Sequence, residues 1–242
     1  MSENLRVVVV GSAGRMGSFA CNLLRETPGF ELAGAYHKGD DWPAQVAHAD
    51  ARVGLDFTHA GLGREHGLSL LEAGVRPVIG TSGMDPADDA ALDARARELG
   101  LGGLVVPNFS IGIWLLQRAC EQIAAHFPEA EVVELHHPGK LDSPSGTALD
   151  TARRIAGARR TQPRGEITGA ARGQPCERVA VHSVRLPGLY AHQEVLFGAA
   201  GERLSLRHDM HSPEAFAPGI LAACSYAANA NGVARGLGAA LQ

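Results

Sequence analysis

The chain has 242 residues, of which 45% are hydrophobic and 20% charged, and its formal net charge is −4. That length can bury one large core or two modest ones, and the balance is that of an ordinary globular protein. It excludes a global attraction to nucleic acid or anionic membrane, and no apolar run approaches a membrane span, so any anion-binding surface must be local.

In chain order, a continuous aliphatic run at 5–10 predicts a parallel strand covered on both faces, not a signal peptide. Helical spacing at 14–27 follows. Next come strands at 30–36 and 53–57, a helix at 64–73, a short buried strand at 77–79, an Ala-rich helix at 86–99 and a strand at 103–106. This alternation predicts an α/β fold with a doubly wound parallel sheet. Beyond Pro107 the character changes. A long amphipathic helix at 111–127 precedes an alternating strand at 131–136 and a helix at 147–158. Segments 179–186, 193–197 and 204–208 then carry antiparallel-sheet signals. The Arg-, Gly- and Pro-rich stretch 158–174 reads as a long mobile loop, and the Ala-rich tail 213–237 as helix. Cys21, Cys120, Cys176 and Cys224 form no C-x-x-C pair, which favours reduced, mostly buried thiols in a cytoplasmic protein.

The first strand runs into Gly11-Ser12-Ala13-Gly14-Arg15-Met16-Gly17. A turn without side chains lets backbone N–H groups reach a pyrophosphate at the start of the following helix. Ser12 stands where the usual motif has its first glycine, but strand before and helix after supply the right context. At the end of the second strand, where a carboxylate would hold the ribose hydroxyls of NAD, the chain has His37-Lys38. A cation there suits the 2′-phosphate of NADPH, while Asp40 and Asp41 could supply the acid, so NADPH and NADH both stay open with Lys38 tilting toward NADPH. Gly80-Thr81-Ser82-Gly83 and Val106-Pro107-Asn108-Phe109-Ser110 follow two further strands, where open α/β sheets bind ligands.

The densest chemistry lies at 134–148, ELHHPGKLDSPSGTA. A metal site is disfavoured, because adjacent histidines on a strand point to opposite sides. A hydrolase using Ser143 or Ser145 with His136 lacks a nucleophile elbow and leaves the glycine turn without a task. An anion site uses the whole segment. Ser145-Gly146-Thr147 opens a helix whose N–H groups can hold a carboxylate, Lys140 adds a positive charge, and His136 can donate a proton near neutral pH. Lys140 is one of only two lysines in the chain, the other being Lys38.

The run E-L-H-H-x-x-K-x-D-x-P-S-G-T-A resembles the signature of the 4-hydroxy-tetrahydrodipicolinate (dihydrodipicolinate) reductase family. The likeness extends to 11–17, Asp56-Phe57-Thr58, 80–83, Asn108-Phe109-Ser110, 184–197 and Arg207-His208-Asp209. It implies an NAD(P)H-dependent oxidoreductase of lysine biosynthesis by the diaminopimelate route. His136 and Lys140 match the acid/base and second proton donor, and His137, Gly146 and Thr147 match substrate-binding positions, beside which Ser145 opens the helix. The stretches 11–16, 80–82 and 106–109 match the dinucleotide contacts. The resemblance further implies a Rossmann-type domain at 1–107 completed by a C-terminal helix at 213–242. A substrate-binding domain at 108–212, with a mixed, largely open sheet, would assemble a homotetramer. His37-Lys38 departs from a common Glu-Arg, Ser82 from threonine and Ala191-His192-Gln193 from Gly-Glu-His; the loop at 40–50 is short. Another two-domain dehydrogenase of the aspartate type, or a regulator that binds NAD(P) without turnover, is the competing reading.

Overall fold

The computed structural model describes residues 3–242. The chain forms two compact units, the first comprising the chain up to Ser110 together with Phe216–Gln242, the second Ile111–Ala215. The first unit begins with β1 (Leu5–Val10), α1 (Arg15–Glu26), β2 (Phe30–Tyr36), α2 (Trp42–Val46) and β3 (Val53–Asp56). It continues with α3 (Gly63–Glu72), β4 (Arg76–Ile79), α4 (Pro86–Glu98) and β5 (Gly102–Val105). Val7, Val8 and Val9 have no exposed surface, as β-branched residues do on a strand covered from both faces. Helix α4 starts where the sequence Asp85-Pro86-Ala87-Asp88 dictates: the Asp85 carboxylate accepts the N–H groups of Ala87 and Asp88, and Asp88 reaches back to the Asp85 N–H.

The second unit contains α5 (Ile111–Ala124), β6 (Glu129–His136), α6 (Gly146–Ala158), β7 (Gln174–Cys176), β8 (Val179–Arg185), β9 (Ala191–Ala199) and β10 (Glu202–Met210). Its five strands lie in the order β10-β9-β6-β8-β7, with β6 and β8 parallel and the other neighbours antiparallel. One face of this mixed sheet carries Val132, Val181, Val195 and Phe197, which pack with Leu116 and Cys120 of α5 and Ala152 and Ile155 of α6. The stretch 158–174 is tied down by arginines. Arg172 pairs with Glu131 at 2.6 Å, Arg159 donates to the Glu177 carbonyl at 3.1 Å, and Arg178 to the Pro163 carbonyl at 2.9 Å. Strand β7 continues it, an edge too short and proline-containing to show a period.

The tail returns to the first unit with α7 (Ala217–Ala227) and β11 (Gly232–Arg235). Expected as one helix, it is instead a short 3₁₀ turn, a helix, a strand and a second 3₁₀ turn. The helix stops at Ala228, and Gly232 takes a φ of +80°, from which β11 pairs in parallel with β5. Four residues carry too little pattern to announce a strand; the pairing partner defines it. The completed sheet is parallel throughout in the order β11-β5-β4-β3-β1-β2. The order reverses beside β1, the place where open α/β sheets hold ligands.

Candidate active site

In the first unit the chain after β1 is shaped by close backbone contacts. Gly11 has a φ of +86°, and a Cβ there would lie 2.6 Å from the Phe57 carbonyl oxygen. At Gly17 it would lie 2.1 Å from the Gly11 carbonyl oxygen, so only glycine lets α1 begin against the turn. Ser12 donates its N–H and its hydroxyl, each at 2.9 Å, to the Tyr36 carbonyl, which explains how a serine serves at that position. Ala13, Gly14 and Arg15 are exposed, Met16 is half-buried, and no side chain caps α1 at Gly14. The bare helix start and its glycine packing fit a pyrophosphate.

Beyond β2, Asp40 accepts the His37 N–H at 2.7 Å and pairs with the His37 ring at 3.1 Å. That carboxylate therefore closes its own loop, while Lys38 is exposed and has no ion pair among the described residues. Past β4, a Cβ at Gly80 would meet the rings of Phe57 and Phe109 at 2.5 and 2.8 Å; these two rings pack edge to face, 5.3 Å apart. Thr81 is buried and donates to Asp56 at 3.0 Å, whereas Ser82 is exposed. Asp56 has no exposed surface and also accepts the Thr58 N–H at 2.9 Å, with His66 3.5 Å away. Asp56 thus anchors the loops after β3 and β4 together, a role concealed in an apparently ordinary Asp-Phe-Thr. Past β5, Val106 and Phe109 are buried, Pro107 is exposed, and Asn108 accepts the Ser110 N–H at 2.9 Å.

In the second unit the period of a strand places Glu134 and His136 on the same face as Val132. Along that face the sheet passes from an apolar row, Val132 beside Val181 and Val195, to Glu134 beside Ser183 and Gln193, and ends with His136 beside Arg185. Glu134 is fully buried, and its carboxylate is the hub. It pairs with His136 Nδ1, takes both terminal nitrogens of Arg185 at 2.8 Å each, and accepts the Ser145 N–H at 3.2 Å. Burial alone would raise its pKa; hydrogen bonds from His136, Arg185 and Ser183 overcome that and hold it at about 2.

Ser145 is buried and its hydroxyl accepts the Ala148 N–H at 3.2 Å, capping α6. Gly146 is exposed, with no atom within 4 Å of where a Cβ would stand, and Thr147 is half-buried. Lys140 pairs with Asp142 at 2.8 Å. Partial burial would raise the Asp142 pKa, but Lys140 and the Gly146 N–H hold it below the usual carboxylate range. His137 is half-buried with its Nδ1 lying over Gly139. The structure therefore gathers His136, Lys140 and Ser145-Gly146-Thr147 around one strand end and one helix start of this unit. Glu134, given no role from the sequence, and Arg185, not considered at all, organise that cluster. Alternation with His136 was the available signal for Glu134; Arg185 lies 51 residues away and gave none.

A bare helix start that fits a pyrophosphate in one unit, and an imidazole tied through one carboxylate to a helix start in the other, are the makings of a nicotinamide-dinucleotide oxidoreductase. Residues 5–109 match the family model for the N-terminus of dihydrodipicolinate reductase, and residues 112–238 that for its C-terminus. The chain is 40% identical to the 4-hydroxy-tetrahydrodipicolinate reductase of Bacillus velezensis, over 90% of this chain and 91% of that protein. It is 39% identical to the enzyme of the same name from Legionella pneumophila, over 96% and 97%. A solved dipicolinate-bound dihydrodipicolinate reductase from a Paenisporosarcina species superposes with a TM-score of 0.85 at 32% identity, covering 97% of this chain and 98% of that one. The chain belongs to the dihydrodipicolinate reductase family.

Proposed function

We propose that this chain reduces 4-hydroxy-tetrahydrodipicolinate to tetrahydrodipicolinate, with loss of water, at the expense of NADPH or NADH, in the diaminopimelate route to lysine. Family membership over nearly the whole chain supports the reaction. The observation that carries the site is His136, hydrogen-bonded through Nδ1 to a buried carboxylate and set beside the start of α6. When bound, the reduced nicotinamide supplies the hydride. Gly11, Gly14 and Gly17 admit the pyrophosphate at the start of α1, and the loops at 80–82 and 106–109 flank the rest of the dinucleotide.

On the substrate side, the N–H groups of Gly146 and Thr147, the Ser145 segment, His137 and Lys140 hold the carboxylates. A substrate carboxylate takes over the contacts that Asp142 makes with Lys140 and the Gly146 N–H. Loss of the 4-hydroxyl as water leaves a conjugated ring; its reduction adds one hydride and one proton, and His136 or Lys140 delivers the proton. Lys38 near the ribose tilts preference toward NADPH. Four free cysteines fit a cytoplasmic location. Val133, Leu135, Val184 and Leu196, half-buried on the sheet face opposite α5 and α6, support packing of that face into a homotetramer.

The test is the absorbance of NADPH and NADH with freshly generated 4-hydroxy-tetrahydrodipicolinate. Oxidation of both is expected, faster with NADPH. In Lys38→Ala the NADPH advantage should shrink while NADH turnover holds. Binding of either dinucleotide without oxidation would favour a non-catalytic regulator and overturn the proposal.

A further inference from the structure

Resting on the reading of His136 as an acid, we propose that Glu134 is the positioning residue that fixes the tautomer and orientation of His136, with Arg185 as the clamp that keeps Glu134 in place. Glu134 sits two residues before His136 on one strand face and has no exposed surface. A carboxylate in that position is costly unless every lone pair is used. Here Oε2 receives His136 Nδ1 and one Arg185 nitrogen, while Oε1 receives the other Arg185 nitrogen and the Ser145 N–H. Arg185 is itself held by the Val184 and Asp142 carbonyls at 2.8 and 2.7 Å.

Two consequences follow for the imidazole. An acceptor-only carboxylate on Nδ1 requires a hydrogen there, so Nε2 becomes the nitrogen that carries or releases the transferable proton. The Oε1 bond to Ser145 links the same carboxylate to the residue that caps α6. The acid on the strand and the anion-binding helix start are thereby held in one register by a single side chain. An amide cannot replace it. Whichever way a glutamine turned, its NH₂ would face a guanidinium N–H, because Arg185 occupies both oxygens.

The test is a double-mutant cycle in the full-length enzyme. Glu134→Gln should lower kcat roughly 10- to 100-fold, as loss of an outer-shell partner of a working histidine does. Because the effect on kcat runs through His136, adding Glu134→Gln to His136→Ala should lower kcat no further, while loss of the Ser145 link is read in KM. The Nδ1-protonated tautomer, read from imidazole ¹⁵N shifts in histidine-labelled protein, should dominate in the wild type and give way to a mixture in Glu134→Gln. Arg185→Lys, which keeps the charge but not the fork, should fall between the two. If Glu134→Gln alone unfolds, the Glu134→Gln/Arg185→Met pair removes the stranded charge, and the same two readouts apply to it. Three results overturn the proposal: wild-type kcat with an unchanged tautomer in the glutamine variant, a kcat loss that adds to that of His136→Ala, or a wild type protonated at Nε2. Near-normal turnover in His136→Ala would instead sink the acid reading, and the positioning role with it.

Discussion

The two units build their candidate sites by opposite means. The cradle after β1 works through atoms that are missing: Gly11 and Gly17 admit a backbone contact that a single methyl would block. The cluster at the end of β6 works through atoms that are present: Glu134 holds the His136 imidazole and the Arg185 guanidinium, and Asp142 holds the Lys140 ammonium. A backbone site is damaged by addition and tolerates neighbours; a side-chain site is damaged by subtraction and fails as a network.

The comparison is most sharply tested where subtraction touches chemistry. His136→Ala or Lys140→Ala should lower kcat by about 10² to 10⁴, the usual worth of positioned acid catalysis, while NADPH binding measured by fluorescence stays unchanged. Turnover within a few-fold of wild type in both would assign the proton elsewhere.

Next in size is acid unfolding. The Glu134 carboxyl sits at about 2 in the fold against a usual 4.5, and a depressed carboxyl stabilises fully above its unfolded pKa. That stabilisation, about 3 kcal/mol, is lost as pH falls from about 4.5 toward 2. Denaturant unfolding across that window should show the loss in the wild type and a flatter pH dependence in a folded Glu134→Gln chain. Equal slopes in both would remove Glu134 from the acid response.

Addition to the cradle comes third. Gly17→Ala should weaken dinucleotide binding by about 1–3 kcal/mol, roughly five- to 150-fold, from overpacking against the Gly11 carbonyl. Unchanged titrations would show that α1 can shift without cost. The smallest effect belongs to Asp142→Asn. Freeing Lys140 and the Gly146 N–H from their internal partner should lower KM for the dicarboxylate about two- to fivefold, the scale of a surface ion pair. A raised KM would mean that Asp142 organises the loop instead of competing with substrate.

What could be read from the sequence follows the same division. The four-valine strand and the glycine turn are local, and each was visible in a few consecutive residues. His136, Lys140 and Ser145-Gly146-Thr147 stood in one short segment and needed no fold to be grouped. Arg185 and β11 were not visible, because each is defined by a partner far along the chain: Glu134 for the first, Gly102–Val105 for the second. Asp56 lay in between, a recognised motif whose job appeared only when Thr58, Thr81 and His66 converged on it.

The return of the tail to the first unit sets an order of assembly during synthesis. Residues 216–242 leave the ribosome only after the whole of Ile111–Ala215, so the second unit has its full sequence while the first still lacks α7 and β11. Until β11 arrives, β5 is an open sheet edge, the kind of surface on which nascent chains pair with one another. Gly219 must then seat α7 against the Phe109 carbonyl, where a Cβ would come within 1.9 Å. Chaperone dependence and the yield of active enzyme should therefore respond to changes at Gly219 and in β11, far along the chain from any residue that touches substrate.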